Sequence, residues 1–454
     1  MINLSKVRTR MPEQDPQVRT RNFEEVATGY TEEMAVREAL RCLKCREHPC
    51  MTSGCPIHND IPAFIEKITE GAFEEAYQIL TKTTSLPAVC GRVCPQYLQC
   101  EGKCVRGEKG RAVAIGALER FAADWHRHHA AETEAESAPK KAAKAAVVGS
   151  GPAGLACAGE LAKQGYDVTL FDKENLPGGV LSYGIPEFRL PGEILQKELE
   201  NLREAGVKFE TGKALGKDFT IDSLMEDGYK TVFVGNGAGK SYRLGIPGQE
   251  LSGVLPASAF LYDVNCNQKY PSAGTFAVIG GGNVAMDACR AAIRCPEAKK
   301  VYVVYRRSVA EMPADPAELH EAEAEGIEFL YLTGPLEVIG EDGKVKGLKC
   351  QKMELTEPDA SGRRKPVPVE GSEFVLDVDC IIEAIGSESD NACVDGVEIG
   401  DRGLILADAE TLATSRPGVY AGGDTVTGPK TVIAAMGAGR RAAAAMASYM
   451  QGKE

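Results

Sequence analysis

The strongest pattern of apolar and polar positions lies between residues 145 and 174, AAVVGSGPAGLACAGELAKQGYDVTLFDKE. An apolar run ends at glycines, small residues follow, and a second apolar run ends at an acid. This order predicts a strand, a tight turn, a helix and a second strand. A strand that meets a helix at a G-x-G-x-x-G turn is the fingerprint of a dinucleotide-binding fold.

Each residue of this turn has a separate physical task. Gly149 allows the tight turn, and Gly151 lets the backbone approach a pyrophosphate at the helix N-terminus, next to Ala153. Gly154 lets the helix and the strand pack closely. Asp172 ends the second strand, where it is placed to accept hydrogen bonds from ribose hydroxyls.

The same architecture recurs in FAVIGGGNVAMDACRAAIR, which is followed by KKVYVVYRRS. The predicted nucleotide contacts of this second turn are Gly280, Gly282, Asn283, Val284 and Ala285. Its second strand ends at Arg306 and Arg307, where the first fold has Asp172. An acid there suits a free ribose hydroxyl, whereas arginine suits the 2′-phosphate of NADP. We therefore expect NADP(H) in the second fold; an exposed basic pair is the simpler alternative.

The segment after the first fold, LPGGVLSYGIPEFRLP, is rich in glycine and proline around aromatic side chains. Such a loop can lie against a flat ring, with Gly179 and Arg189 as candidate contacts. A plain surface loop is the alternative. Two short apolar runs, TVFVGNGAG and CIIEAIG, end in glycine, as expected where a parallel sheet meets a cofactor.

The last segment, GVYAGGDTVTGPKTVIAAMGAGRRAAAAMASYM, predicts a strand, then Gly423 and Asp424, and a small-residue helix that begins near Thr431. A helix N-terminus beside an acid can meet the middle of a flavin dinucleotide. We therefore expect this segment to complete an FAD site. Helix packing alone would also explain the small residues.

Eight of the 15 cysteines fall in two runs, RCLKCREHPCMTSGCP and CGRVCPQYLQCEGKC, separated by a helical spacer. Proline follows Cys55 and Cys94, as in bacterial ferredoxin runs, where the cysteine before proline ligates the other cluster. By this reasoning Cys42, Cys45 and Cys50 begin one [4Fe-4S] cluster, and Cys55 crosses to a second. Structural zinc is the alternative, although zinc sites favour separated C-x2-C pairs and only Cys42 and Cys45 have that spacing.

Length and charge limit the remaining choices. A chain of 454 residues should form about three domains. A net charge of -13 argues against nucleic acid or an acidic membrane surface as partner. The N-terminus has no signal-peptide pattern and no run of 18 apolar residues occurs, so we expect a cytoplasmic protein.

Taken in order, the two cysteine runs, VVGSGPAGL, GGVLSYGIPEFRLP, VIGGGNVAMD, YRR and YAGGD resemble the glutamate synthase small subunit family of FAD, NADP(H) and [4Fe-4S] oxidoreductases. They equally resemble the large subunit of the electron-bifurcating NADH-dependent reduced ferredoxin:NADP oxidoreductase. The N-terminal half of dihydropyrimidine dehydrogenase is similar. The resemblance covers nearly the whole chain from about Pro12.

The resemblance implies an α/β protein, with a helical two-cluster domain followed by two Rossmann-like domains, in which an NADP(H) domain interrupts an FAD domain. The expected boundaries are 1–128 for the N-terminal arm and iron-sulfur domain, 129–143 for a linker, 144–260 and 384–454 for the two parts of the FAD domain, and 261–383 for the NADP(H) domain.

The resemblance also implies the cluster ligands. One cluster takes Cys42, Cys45, Cys50 and Cys104. The other takes Cys55, Cys94, Cys100 and, by the match of IGALERF, Glu119, which leaves Cys90 as a bystander.

The implied activity is hydride exchange between NADP(H) and FAD, with single electrons passing through both clusters. It needs no catalytic side chain, since the cofactors do the chemistry. Cys289 and Cys295 are too far apart for a redox C-x-x-C, so electrons should leave through iron. Partner subunits that bind NAD(H), flavin or iron-sulfur are implied, with ferredoxin as carrier.

Three functions stay open. The first is a subunit of a bifurcating NADH/ferredoxin:NADP transhydrogenase. The second is a glutamate synthase small subunit that supplies electrons to a separate FMN-containing large subunit. The third is a non-enzymatic scaffold with zinc in the cysteine domain and a nucleotide as a structural prop.

Overall fold

The computed structural model describes residues 2–129, 139–359, 362 and 364–452. Most of the expected linker, residues 130–138, lies outside them. The helices are α1 (Pro16–Arg19), α2 (Glu32–Ala39), α3 (Ile61–Thr69), α4 (Phe73–Thr81), α5 (Pro87–Val93), α6 (Ile115–His129), α7 (Pro152–Lys163), α8 (Val180–Tyr183), α9 (Gly192–Glu204), α10 (Ile221–Glu226), α11 (Ala257–Asn267), α12 (Asn283–Ile293), α13 (Pro316–Ala324), α14 (Asp424–Thr427) and α15 (Val432–Met450).

The strands form two parallel sheets and two smaller antiparallel ones. They are β1 (Lys144–Val148), β2 (Asp167–Asp172), β3 (Lys208–Thr211), β4 (Tyr229–Val234), β5 (Lys240–Ser241), β6 (Val254–Pro256), β7 (Thr275–Ile279), β8 (Lys300–Val304), β9 (Glu328–Leu330), β10 (Thr333–Glu341), β11 (Lys344–Leu355), β12 (Pro366–Pro368), β13 (Phe374–Asp377), β14 (Cys380–Glu383), β15 (Ser387–Glu388) and β16 (Val419–Ala421).

The first parallel sheet has the order β16-β4-β1-β2-β3 and forms the flavin region. Helices α7 and α15 pack against each other beside it, and both are built from small residues. The reason is distance, because a Cβ on Gly439 of α15 would lie 2.0 Å from the carbonyl oxygen of Ala153 in α7. The alanine and glycine content of α15 therefore follows from this close helix contact.

The second parallel sheet, β6-β14-β7-β8-β9, forms the nucleotide region, and β10 to β13 make an antiparallel sheet attached to it. The chain crosses between the regions at β5 and β15, which pair with each other. Strand β6 belongs to the second sheet although it precedes residue 261, the expected domain start. We propose β5 and β15 as the domain boundaries.

Helices α2 to α6 form the iron-sulfur region, in which α2, α3, α4 and α6 surround a separate apolar core. Phe73 and Phe121 meet edge to face there, with ring centroids 5.0 Å apart. Helix α5 also docks on the flavin region, because Glu198 of α9 accepts a hydrogen bond of 3.0 Å from the backbone N–H of Ala88. Burial raises the pKa of Glu198 to about 7.

The order of a helical region and two parallel sheets, one interrupted by the other, confirms the predicted α/β class. No helix among the described residues combines the length and the apolar content needed to cross a membrane.

Candidate functional site

The turn after β1 has no room for side chains on its inner face. A Cβ on Gly149 would lie 2.3 Å from the carbonyl oxygen of Gly235, and one on Gly154 would lie 1.8 Å from that of Gly149. Gly151, the N-cap of α7, has nothing within 4 Å of its Cβ direction. The turn is therefore closed toward the sheet and open where a pyrophosphate would meet the helix.

Asp172 lies at the end of β2 and is tied to this turn. Its Oδ2 accepts a hydrogen bond of 2.6 Å from the backbone N–H of Ser150, whose hydroxyl also donates to it. Its Oδ1 accepts one of 2.8 Å from the N–H of Glu174. Ser150 Oγ in turn accepts from the N–H of Gly178 at 3.0 Å. The carboxylate thus fixes the turn, and its contact with a ribose stays a prediction.

Sequence reasoning missed Ser150 as a functional residue. The sequence signal that could have identified Ser150 was its place between Gly149 and Gly151, with Asp172 at the end of the next strand as a hydrogen-bond acceptor. The Gly178–Gly179 loop closes over this turn, because a Cβ on Gly179 would lie 2.7 Å from Gly151 Cα.

The last predicted FAD residues approach the same helix end. A Cβ on Gly423 would lie 3.0 Å from Ala153 Cβ, and Asp424 begins α14 directly after it. Burial raises the pKa of Asp424. Thr431 caps α15 by accepting a hydrogen bond of 3.3 Å from the N–H of Ala434. Seven predicted residues are thereby brought together around the start of α7, namely Gly149, Gly151, Ala153, Gly154, Asp172, Gly179 and Gly423.

Arg189 is placed differently from the other predicted FAD residues. Its Nη1 donates to both carboxylate oxygens of Asp287, at 2.7 and 2.9 Å, and its Nε lies 2.8 Å from Glu318. Both acids belong to the nucleotide region. The guanidinium therefore links the two regions, and this arrangement does not favour its predicted role in flavin binding.

The turn after β7 repeats the first one. A Cβ on Gly280 would lie 2.2 Å from the carbonyl oxygen of Ala384, and Gly282 caps α12 with open space beside it. Ala285 is fully buried against the strand, whereas Val284 is half exposed. Asn283 accepts a hydrogen bond of 2.8 Å from the N–H of Asp315. This turn is likewise open at the helix end.

Two arginines follow β8 beside this open turn. Arg306 is exposed and makes no ion pair or side-chain hydrogen bond with any described residue. The Nε of Arg307 is buried without a hydrogen-bond partner in the described chain. Buried donors are normally paired, so the unpaired Nε of Arg307 at this point fits a phosphate ligand. The donor set suits the 2′-phosphate of NADP.

The predicted cluster ligands form two groups in the structure. Group 1 (Cys42, Cys45, Cys50 and Cys104) lines one cavity, and each of its cysteines is partly exposed. Burial and the neighbouring charges of Cys104 and Cys42 raise the pKa of Cys50 to about 12. Cys50 lines this cavity at the start of a short helical turn, Cys50–Gly54.

In group 2 (Cys55, Cys94, Cys100 and Glu119), Cys94, Cys100 and Glu119 are buried, and Cys55 is partly exposed like the cysteines of group 1. The charge of Glu119 contributes to the raised pKa of each of the three thiols, so the carboxylate lies near them. Burial raises the pKa of Glu119 to about 8, and the carboxylate makes no hydrogen bond or ion pair with a described residue. Cys90 also lies beside Cys94, with a thiol hydrogen bond between them that contributes to the raised pKa of Cys94.

Both groups have the donor chemistry of iron-sulfur ligation. Group 1 offers four thiols, and group 2 offers three thiols and a buried carboxylate without a donor of its own. Within residues 2–129 and the other described ranges, no three histidine, cysteine or acidic side chains are grouped to hold a single metal ion.

Group 2 adjoins the flavin region. Gln99, next to Cys100, donates a hydrogen bond of 3.5 Å to Thr431 Oγ1 at the start of α15. Cys90 Sγ lies 3.7 Å from Met436 Sδ in the same helix. Group 2 therefore lies against the first turns of the helix that completes the predicted FAD site.

Two family profiles match the chain. Residues 19–131 match the dihydropyrimidine dehydrogenase domain II, 4Fe-4S cluster family, and residues 143–439 match the pyridine nucleotide-disulphide oxidoreductase family. The FprA structure of Mycobacterium tuberculosis in complex with NADPH is 21% identical, with a TM-score of 0.58, and covers 69% of this chain and 87% of its own. That likeness shows the fold.

Curated relatives extend the match over nearly the whole chain. The NADP(+)-dependent formate dehydrogenase subunit beta of Moorella thermoacetica is 42% identical over 89% of this chain, which spans only 60% of that relative. The NADPH-Fe(3+) oxidoreductase subunit beta of Geobacter sulfurreducens is 37% identical over 89% of this chain and 64% of its own length. The glutamate synthase [NADPH] small chain of Escherichia coli (strain K12) is 35% identical over 97% of this chain and 96% of its own length.

These matches agree with the two open nucleotide turns and the two cysteine groups. They confirm the predicted cofactors, FAD, NADP(H) and [4Fe-4S] clusters, and the predicted enzyme class. The chain belongs to the glutamate synthase small subunit family of NADP(H)-dependent FAD and iron-sulfur oxidoreductases.

Proposed function

We propose that this chain is the NADP(H)-handling subunit of an electron-bifurcating NADH/ferredoxin:NADP transhydrogenase. When bound, FAD supplies the conversion between two-electron hydride chemistry and one-electron iron-sulfur chemistry. The observation that carries the proposal is the difference between the cysteine groups. Three of the four members of group 2, namely Cys94, Cys100 and Glu119, are buried beside α15 of the flavin region, whereas all four cysteines of group 1 are partly exposed. This order suits a chain of centres that runs from a buried flavin to a surface.

In the proposal, the residues of the two turns bind and orient FAD and NADP(H). In the proposal, Arg306 and Arg307 hold the 2′-phosphate, and the open end of α12 at Gly282 meets the pyrophosphate. The first turn, fixed by Asp172 and Ser150, is proposed to meet the pyrophosphate of FAD at the start of α7 in the same way. Group 1 and group 2 are the proposed ligand sets, with Glu119 as the non-cysteine ligand. No side chain has to transfer a proton, so orientation is the protein's main contribution.

The surface around group 1 has the composition of a docking site. Ile2, which lines a cavity together with Cys42, is exposed, as are Leu4, Val7 and Leu43. Five cations in the neighbouring segments are exposed and make no ion pair with described residues, namely Lys6, Arg10, Lys103, Lys109 and Arg111. The chain as a whole carries a charge of -13, so this local basic surface fits an acidic partner. Ferredoxin and an NAD(H)-binding flavin or iron-sulfur subunit are the proposed partners.

A glutamate synthase small subunit is the second candidate. It is favoured by the match to the Escherichia coli small chain, which covers almost all of both proteins. The other relatives carry the names of a formate dehydrogenase and an iron(III) oxidoreductase. Electron acceptors therefore differ among relatives with the same cofactor-binding chain, and the acceptor has to be found by experiment.

The test is anaerobic native purification of the chain from its own host, followed by identification of the co-purifying subunits. NADPH-dependent ferredoxin reduction is then assayed with and without NAD. The proposal predicts a flavin or iron-sulfur partner and ferredoxin reduction only when NAD is present. An FMN-containing large subunit, with NADPH oxidation driven by glutamine and 2-oxoglutarate, would support the second candidate. A purified chain that oxidises no NADPH with any artificial acceptor would contradict both.

A further inference from the structure

Residues 12–28 of the N-terminal arm, here called the strap, lie across all three regions of the molecule. The strap contains the short helix α1, and its flanks are held by backbone hydrogen bonds, from Gln14 N–H to Val26 O at 2.9 Å and from Thr28 N–H to Pro12 O at 2.8 Å. It is therefore a closed loop of chain with a defined shape, and the residues at its tip can hold fixed positions.

On the nucleotide region, the strap is anchored by a buried ion pair. Arg19 is 1% exposed, and its Nε lies 2.9 Å from Oε1 of Glu325, at an angle that makes the contact an ion pair without a hydrogen bond. Its Nη2 donates to the carbonyl oxygen of Glu321 at 3.4 Å. Arg294 donates from Nε to the carbonyl oxygen of Asn22 at 3.0 Å. The strap thus supplies one of the cations that surround a buried glutamate.

Glu325 depends on several cations at once. Arg290 and Arg294 both donate to its carboxylate, Arg294 at 2.7 Å from Nη1. Burial acts to raise the pKa of Glu325, but the hydrogen bonds from Arg294 and the charge of Arg290 outweigh it and the pKa is lowered. A buried charge pair of this kind loses its compensation when one partner is removed. Arg19 is accordingly one of the cations that compensate the charge of Glu325 at the C-terminal end of α13.

On the flavin region, the strap covers a loop that enters the nucleotide region. Phe188, in the loop between α8 and α9, is 1% exposed and lies under the guanidinium groups of Arg290 and Arg294, at 4.8 and 4.2 Å. The strap holds it from the other side, because Val26 N–H donates to Phe188 O at 2.9 Å and the Phe23 ring lies 6.4 Å away. Phe23 also contacts Tyr270 of the nucleotide region, at 5.9 Å.

On the iron-sulfur region, the strap is joined to the helices that carry group 2. Glu25 pairs with Arg92 of α5 at 2.8 Å and with Arg120 of α6 at 3.0 Å. Arg120 also donates to the carbonyl oxygen of Ala27 at 2.9 Å. Arg120 directly follows Glu119, so the strap is fixed one residue away from a proposed cluster ligand.

We propose that the strap locks the nucleotide region in one orientation relative to the flavin and iron-sulfur regions, with Arg19 and Phe23 as positioning residues. The chain crosses between the flavin and nucleotide regions at the short pair β5 and β15. A crossing of this kind can act as a hinge when nothing else fixes the regions. The ion pairs of Arg189 with Asp287 and Glu318 already link the two regions, and the strap adds a further attachment through its contacts with Glu325 and Phe188. It thereby fixes the distance over which hydride moves between the two nucleotide sites.

The test uses the cofactor-loaded chain and two readouts, the radius of gyration by small-angle X-ray scattering and the rate of flavin reduction at saturating NADPH. Arg19→Leu keeps the bulk of the side chain but removes its charge. We expect a larger radius of gyration and a rate lowered about tenfold or more, since small displacements of reacting groups cost this much. The dissociation constant of NADPH should stay at the wild-type value, because Arg19 does not touch the proposed NADP site.

Two further variants separate the lock from simple loss of stability. Arg21→Leu is the matched control, an exposed arginine on the same strap without a side-chain contact to a described residue, and it should behave as the wild type. Arg19→Lys keeps a charge near Glu325 but not the second donor to Glu321, so it should restore part of the rate. A role in stability alone would lower the melting temperature and leave scattering and reduction rate of the folded protein unchanged.

Wild-type scattering together with a wild-type reduction rate in Arg19→Leu would overturn the proposal. If that variant does not retain its cofactors, Phe23→Ala removes the ring contacts without leaving a buried charge unpaired, and the same two readouts decide. The test needs only NADPH and the flavin of this chain, so the absence of bifurcation would not affect it. A wild-type flavin that NADPH cannot reduce would count against the proposed function, while scattering would still test the strap.

Discussion

The two nucleotide turns have nearly the same backbone and opposite chemistry. In both, the first glycine lies against a carbonyl oxygen of a neighbouring strand end, with built Cβ positions 2.3 Å from Gly235 O and 2.2 Å from Ala384 O. In both, the glycine that caps the helix faces open space. The strand ends differ, because Asp172 is bound to its own turn, whereas Arg306 is exposed without an ion pair to a described residue and Arg307 Nε is buried without a hydrogen-bond partner.

This difference shows where cofactor choice lies in such a fold. The turn provides close approach and the helix end for any pyrophosphate, and it is therefore the same for both ligands. The side chains at the end of the second strand set the charge that meets the ribose. Breaking the turn should abolish binding, whereas changing the strand end should alter which nucleotide is bound.

The largest effect is expected at the third position of the G-x-G-x-x-G/A motif, which is Gly154 in the first turn and Ala285 in the second. Gly154→Ala would place a Cβ 1.8 Å from Gly149 O, so we expect the purified protein to lack FAD. Ala285→Gly makes the second turn more like the first and should cost only about 1 kcal/mol in helix stability. Flavin absorbance per protein measures the FAD content of Gly154→Ala, and the melting temperature measures the stability of Ala285→Gly. FAD bound at the wild-type level in Gly154→Ala would show that the turn moves to make room.

The second effect concerns nucleotide choice. Arg306→Ala removes a cation without a protein partner, so the KM for NADPH should rise about ten- to a hundredfold, as expected for one charged hydrogen bond. The KM for NADH should not change. Lys300→Ala, at the other end of the same strand, is the matched control. Equal losses with NADPH and NADH would mean that Arg306 does not contact the 2′-phosphate.

A smaller effect is expected at the end of β2. Asp172→Asn keeps the side-chain shape but weakens the hydrogen bonds accepted from Ser150, so the dissociation constant of FAD should rise about tenfold. Asp167→Asn, at the start of the same strand, alters only an exposed pair with Lys208 and serves as control. Fluorescence of released FAD during dilution measures the change. Unchanged affinity in Asp172→Asn would separate this acid from the flavin site.

The smallest effect is expected at α15, an element that completes the first fold. Thr431→Ala removes the N-cap, which should lower the free energy of unfolding by about 1 kcal/mol. Thr220→Ala removes the corresponding cap of α10 and is the comparison. FAD affinity should fall only in Thr431→Ala. Equal affinity in both variants would mean that the start of α15 has no part in flavin binding.

Features that depend on residues close together in the sequence were predictable. The turns at Gly149 and Gly280, the cap at Thr431 and the spacing of the cysteines each follow from residues a few positions apart. The division of ligands into group 1 and group 2 came from family resemblance, because spacing alone does not say which cysteines meet after the spacer folds. It stays a prediction that agrees with the contacts described here.

Features that depend on distant partners were not predictable. Arg19 donates to Glu321, 302 residues further along the chain, and no periodic pattern connects the two. Arg189 lies in a loop with the composition of a ring-binding segment, yet its guanidinium pairs with Asp287 and Glu318. Buried ion pairs between regions are fixed by tertiary packing, which the local pattern does not specify.

The most direct test of the central claim is anaerobic stopped-flow mixing of the purified, cofactor-loaded chain with NADPH or NADH. We expect rapid bleaching of the flavin by NADPH, followed by loss of iron-sulfur absorbance. NADH should be less efficient by about tenfold or more, because it has no 2′-phosphate for Arg306 and Arg307 to bind. No bleaching by NADPH, or equal bleaching by both nucleotides, would contradict the assignment of the two turns.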